Sequence, residues 1–190
     1  MQNHQIGSQE AGQRLDKFLH KYFPEAGTAF LYKMLRKKNI VLNKKKAEGK
    51  EILVEGDSLD FFFSEETFAK FRGMEKSGTT SRLLTDVYEK AYESLHGISV
   101  LYEDADMLAL NKPAGVLTQK AEEADVSLNE WMIGYLLKKG RMTEEILKTF
   151  KPSVLNRLDR NTSGLVLCGI SLKGSQILSR MIHDRTVRKY

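Results

Sequence analysis

Thiols are nearly absent from this sequence: Cys168 stands alone among 190 residues. A single cysteine excludes an internal disulfide and any zinc site built from several thiolates. It lies within an apolar run, where a buried core thiol is expected. His4, His20, His96 and His183 are scattered without metal-ligand spacing, so no metal centre is expected. No stretch approaches the roughly 20 apolar residues that cross a bilayer. The opening "MQNHQIGSQEAGQR" lacks the apolar segment of a signal peptide. These absences predict a cytoplasmic protein without a membrane partner. In that setting the Asn161-Thr162-Ser163 triplet matches a glycosylation acceptor by chance. Internal repeats and long low-complexity tracts are missing too.

What is present suits one domain of ordinary size or two small ones. The hydrophobic fraction, 41%, is enough for a packed core, and a net charge of +5 points to an anionic partner. From Arg14 onward, Leu15, Phe18, Leu19 and Tyr22 recur at helical spacing, with Pro24 just past the stop. Thr28 is the expected N-cap of a second helix with Leu31, Met34 and Leu35 on its inner face. "NIVLN" and "EILVEGDSLDFFF" then predict strands, the latter turning at Glu55-Gly56-Asp57. Lys33, Arg36, Lys37 and Lys38 close the second helix, and Lys44, Lys45 and Lys46 follow the first strand. Such a cluster could neutralise nucleic-acid phosphates with release of counterions. A solvated basic face, favoured by the helix macrodipole, explains it equally well on charge alone.

The order of elements favours the first reading. Arg14-Leu15-Asp16, a second helix with a basic end, the "NIVLN" strand and the "VEGD" turn resemble the alpha-L RNA-binding module of the fourth ribosomal small-subunit protein. The resemblance spans about a quarter of the chain and implies an RNA-binding domain over residues 12–63, with Arg14 among the RNA contacts. A glycine common before the strand is replaced by Lys38-Asn39, where Asn can take a left-handed turn. Residues 64–97 are polar and broken by Gly73 and Ser77-Gly78. They are expected to be a partly helical linker whose last helix ends at Gly97.

A new pattern starts at Ile98. "ISVLYED" and "MLALNKPAG" predict two strands around Glu103–Asp106, the second stopped by Lys112-Pro113. Ser127 should cap a helix over Leu128–Leu137 with Trp131, Tyr135 and Leu136 along its buried stripe, and "RMTEEILKTFKP" continues as helix or loop up to Pro152. "SVLN" and "GLVLCGI" read as strands, the latter buried on both faces. The turn between them carries Arg157, Asp159, Arg160, Asn161, Thr162 and Ser163. If Leu158 faces inward, alternation turns Arg157 and Asp159 outward. Flanking cations favour an ionised carboxylate, suited to nucleophilic or base chemistry on an anionic ligand held by the arginines. A structural Arg–Asp pair tying down the turn is the competing explanation.

"RLDRNTSGLVL" closely resembles the signature of RluA-like pseudouridine synthases of the large-subunit type. "VLYEDADMLALNKPAG" and "LSRMIHDRTVRKY" resemble the segments on either side of it. The resemblance covers residues 98–190 and implies an α+β protein: an alpha-L domain followed by part of a mixed, largely antiparallel catalytic domain. It implies RNA, ribosomal more than transfer, as the partner, and isomerisation of uridine without cofactor or metal. Asp159 becomes the catalytic carboxylate, while Arg157 and Arg160 hold the RNA backbone. Asn156 stands where the family commonly has His. An active-site tyrosine is expected near Tyr190 in an uncertain register. Only 93 residues follow position 97, against the roughly 200 of a whole catalytic domain. The chain is therefore expected to be a C-terminally truncated fragment, inactive alone. A non-catalytic RNA-binding protein using the alpha-L module, or a ribosome-associated protein, is the alternative.

Overall fold

A computed structural model describes residues 1–73 and 77–186, the side chains of 77–84 excepted. The chain is mixed α+β and divides into two units, Met1–Ser81 and Arg82–Tyr190, each built on a four-stranded sheet. All ladders between described strands are antiparallel, and the isolated Leu117–Ser127 bridge is parallel.

In the first unit, helix α1 (Leu15–Tyr22) buries Leu15, Phe18, Leu19 and Tyr22, one apolar stripe at the helical period. Helix α2 (Thr28–Arg36) buries Leu31, Met34 and Leu35. Its N-cap is Gly27, so Thr28, the expected cap, is already helical and makes no capping hydrogen bond. The left-handed turn after α2 falls on Lys38 (φ 59°), one residue before the asparagine expected to take it. The Lys38 and Asn39 N–H groups donate to Leu35 and Met34, closing the helix end.

Strand β2 (Ile40–Leu42) pairs with β3 (Lys45–Lys46) through left-handed Asn43 and Lys44, and also with β4 (Ser58–Phe61). The Asn43 side chain donates to Asp57 Oδ1 (2.7 Å) and accepts from the Ser58 N–H (2.9 Å), linking the "NIVLN" and "VEGD" segments. The strand expected at 51–54 does not form as a ladder. Its backbone is used by the approach to α1: Leu53 exchanges hydrogen bonds with Gly12 and Gln13, and Glu51 accepts from Leu15. Strand β1 (Gln2–Gln5), which the polar N-terminus did not announce, pairs along β4.

The segment expected as a linker is built into both units. Helix α3 (Glu65–Arg72), capped by Ser64, packs Phe68 and Phe71 on the first core. There they join Tyr22, Phe23, Phe61 and Phe63 in one aromatic cluster. Helix α4 (Ser77–Ser94) contributes buried Tyr88 and Ala91 and ends before Gly97. Apolar side chains too few to be conspicuous in a polar sequence still suffice to dock each helix.

In the second unit the sheet order is β5 (Ser99–Glu103), β6 (Met107–Lys112), β8 (Gly164–Gly169), β7 (Ser153–Val154). Leu108, Leu110, Val166 and Cys168 occupy its buried face with Leu128, Trp131, Met132 and Leu136 of α5 (Leu128–Lys138). Ser127 is the N-cap of α5, but its hydroxyl donates to Glu130 (2.5 Å) and takes no backbone N–H. Helix α6 (Glu144–Thr149) is capped by Thr143, and α7 (Leu172–His183) by Ser171. Strand β8 is not buried on both faces as expected: Leu165 is half exposed, and Val166 and Cys168 point inward. Burial pushes the Cys168 thiol up to about 12, which suits an inert core thiol.

Candidate active site

Alternation along β6 puts Leu108, Leu110 and Lys112 on one face of the sheet, the face that enters the core. Lys112 is therefore fully buried. Its ammonium donates to the carbonyls of Val116 (2.7 Å), Pro113 (3.0 Å) and Arg160 (3.1 Å). Three donors meet three acceptors, which is how a buried lysine head is satisfied. Burial lowers its pKa, and the negative charge of Asp159 opposes that shift.

Two loops are stitched together around this ammonium. Gly115 has φ 90°, a conformation that L side chains rarely adopt, and its N–H donates to Arg160 O (2.8 Å). The Arg160 Nε returns a hydrogen bond to Gly115 O (3.1 Å). Thr118, buried, donates through its hydroxyl to Leu158 O (2.6 Å) and accepts from Leu158 N–H (3.2 Å). The Thr162 N–H donates to Asp159 O, closing the turn (3.0 Å). Upstream, the Asn156 amide spans β8, donating to Leu165 O (3.0 Å) and accepting from Leu167 N–H (2.7 Å). Both functions of a carboxamide are used at this position, where the family commonly has His.

Backbone fixation on both sides leaves the side chain of Asp159 directed outward. Leu158 packs on the core while Arg157, Asp159 and Arg160 are exposed. The Arg–Asp pair that competed with this reading does not form: neither arginine makes an ion pair with Asp159 among the described residues. Arg160 is turned to Gly115 instead, because a backbone carbonyl lies within reach of its Nε. The terminal nitrogens of Arg160 and the guanidinium of Arg157 make no hydrogen bond or ion pair with a described residue. Tyr190 lies outside the described residues.

Lys112 and Thr118 were not singled out by sequence as site residues. Lys112 was legible in principle, since the Leu-x-Leu-x-Lys alternation places a charge on an inward position. Thr118 carried no local signal. It meets Leu158 only through the fold, 40 residues along the chain.

In the first unit, Lys33, Arg36, Lys37, Lys38, Lys44, Lys45 and Lys46 are all exposed. None of these seven forms an ion pair with a described residue. Arg14 differs: its Nε and Nη2 grip both oxygens of Asp16, at 3.1 and 2.6 Å. Burial works against the charged Asp16 carboxylate. Hydrogen bonds from Arg14, Tyr32 and the Lys17 N–H outweigh it and hold the pKa below the usual value.

Residues 106–190 match the family model described as RNA pseudouridylate synthase. Ribosomal large subunit pseudouridine synthase C of Rickettsia bellii is 31% identical over 93% of this chain and 53% of its own. The protein of the same name from Vibrio parahaemolyticus is 27% identical over 97% of this chain and 52% of its own. The chain thus spans about half the length of the curated relatives it matches. A human RNA pseudouridylate synthase domain containing 4 chain aligns with 55% of this chain and 35% of its own, at 17% identity and a TM-score of 0.37. No described helix is long and apolar enough to cross a membrane.

Proposed function

We propose that the protein isomerises uridine to pseudouridine in large-subunit ribosomal RNA, with Asp159 as the catalytic carboxylate. The observation that carries this is an exposed carboxylate without a side-chain partner among the described residues, on a loop fixed through Leu158, Arg160 and Thr162. A structural aspartate would spend its oxygens on its own turn, whereas this one keeps both for a ligand. In the reaction the bond from C1′ to N1 breaks, the uracil turns, a bond from C1′ to C5 forms, the hydrogen on C5 leaves to solvent as a proton, and N1 takes up a proton in its place. The uridine must first leave its stack, at a cost of a few kcal/mol. Arg157 and the free end of Arg160 can offset this by holding the displaced backbone phosphates. The names of the curated relatives support ribosomal RNA as the substrate.

The first unit is assigned, over residues 12–63, as an alpha-L RNA-binding module. The Asn43–Asp57 link supports this, since it joins the two sequence pieces on which the resemblance rests. Exposed Lys33, Arg36, Lys37, Lys38 and Lys44–Lys46 supply its phosphate contacts.

Tritium release from ribosomal RNA labelled at C5 of uridine, with the protein expressed from its own reading frame, tests the assignment. Asp159→Ala should abolish release and leave the dissociation constant for the same RNA nearly unchanged. Undiminished turnover by Asp159→Ala removes the catalytic role. Binding without turnover by the unsubstituted protein favours a non-catalytic RNA-binding role.

A further inference from the structure

Helix α2 presents Tyr32, Lys33, Arg36 and Lys37 as one exposed stripe, opposite its buried Leu31, Met34 and Leu35. Tyr32 and Arg36 are an i, i+4 pair, as are Lys33 and the C-cap Lys37, so each pair stands one above the other along the helix. An aromatic ring at the head of a basic stripe is out of place on a merely solvated surface. Tyr32 is 40% exposed, yet it is held. Its hydroxyl donates to Asp16 Oδ2 (3.0 Å), the oxygen that Arg14 Nη2 also grips, and the Lys17 N–H fixes Oδ1 (2.8 Å). At its edge the ring lies over Gly49, where an added Cβ would come within 3.3 Å of Cε1. The ring is thus oriented before anything binds, so little rotamer freedom remains to be lost.

We propose that Tyr32 is a stacking platform for an unpaired RNA base, with Lys33, Arg36 and Lys37 taking the adjoining phosphates. This rests on the RNA-binding reading of the first unit and specifies what that unit recognises: single-stranded or looped RNA. The local charge favours a base over a phosphate at the ring itself. Asp16 balances Arg14 there, leaving no net attraction for an anion, while a neutral base needs only the ring face. Arg14, expected among the phosphate contacts, instead anchors the platform through Asp16.

The test uses the protein from its own reading frame and two probes, a twelve-residue oligouridine and an RNA duplex of equal length, each titrated across a salt series. Tyr32→Leu should weaken oligouridine binding roughly tenfold, the scale of one lost base stack. Duplex binding and the salt slope should stay as they were. Tyr32→Phe keeps the ring and should keep most of the affinity. Tyr32→Trp should show emission quenched by oligouridine. Lys33→Ala and Arg36→Ala should each reduce the salt slope for oligouridine by about 0.7. If Tyr32→Leu binds like the unsubstituted protein, or loses strand and duplex equally, while the lysine and arginine variants weaken binding, the platform is wrong and the RNA-binding reading stands. If the unsubstituted protein binds neither probe, both fall.

Discussion

At the scale of single residues, Lys112 is the group on which the site loops converge. Its ammonium joins the turn after β6 to the loop bearing Asp159, and no other described side chain reaches all three of its carbonyl acceptors. Lys112→Met keeps the length of the stem but leaves Pro113 O and Val116 O without that donor. Loss of charged hydrogen bonds at a buried site should destabilise the second unit by about 2–4 kcal/mol. Urea denaturation followed by Trp131 emission reads this directly, because the only tryptophan belongs to that unit. A change within a few tenths of a kcal/mol would show that the loops hold without the lysine. Sequence reading did reach Asp159, Arg157 and Arg160, because a charged turn between two apolar strands is a local pattern. It left open whether the arginines pair with their neighbour Asp159 or face a ligand. Arg160 instead meets Gly115, a partner that a linear reading cannot supply.

At the scale of elements, close approach decides what can pack. A Cβ on Gly134 of α5 would lie 2.2 Å from the Tyr88 carbonyl oxygen of α4. With no Cβ, that glycine lets the backbone of α5 approach the backbone of α4 at Tyr88. Gly134→Ala should therefore cost about 2 kcal/mol or more, since backbone must move to relieve the contact. The thermal midpoint of the second unit measures the loss, and an unchanged midpoint would mean that α4 shifts freely. Periodicity announced α1, α2 and α5 because each buries a stripe at the helical repeat. It misjudged 51–54, and it announced helix within 64–97 without the docking of those helices on the cores, for a common reason. Whether an extended or helical segment joins a sheet or a core depends on a distant partner: the approach to α1 in one case, the two cores in the other.

For the whole molecule, both units carry carboxylates tuned in the same direction. Burial opposes the charged form of Glu103, but the Tyr135 hydroxyl and the Arg141 guanidinium outweigh it and hold its pKa below the ordinary glutamate value. The same bond, together with burial, pushes Tyr135 up to about 12. In the first unit Asp16 and Glu51 are also lowered. A folded-state value below the unfolded one means that the folded protein binds that proton less readily. The stabilisation is thus complete above the ordinary carboxylate value and is lost as pH falls through the lowered one. Urea midpoints measured from pH 7 down to pH 3 should fall in the acid range. Glu103→Gln should flatten that fall in the Trp131 signal. An equally steep acid limb in the variant would assign it to other carboxylates.

The sequence by itself determined the buried stripes of the main helices and the outward position of Asp159. These depend on short-range order: the periods of strand and helix, and motifs whose residues are adjacent. Only the tertiary structure decided that Lys112 and Thr118 secure the loop of Asp159, that Arg14 is committed to Asp16, and that Tyr32 is braced on the basic face. The Lys112–Arg160, Thr118–Leu158 and Tyr32–Asp16 bonds join groups 48, 40 and 16 positions apart, and Arg14, two positions from Asp16, shares that carboxylate with Tyr32. The free energy that selects such partners comes from burying and pairing polar atoms in three dimensions, where separation along the chain sets no preference.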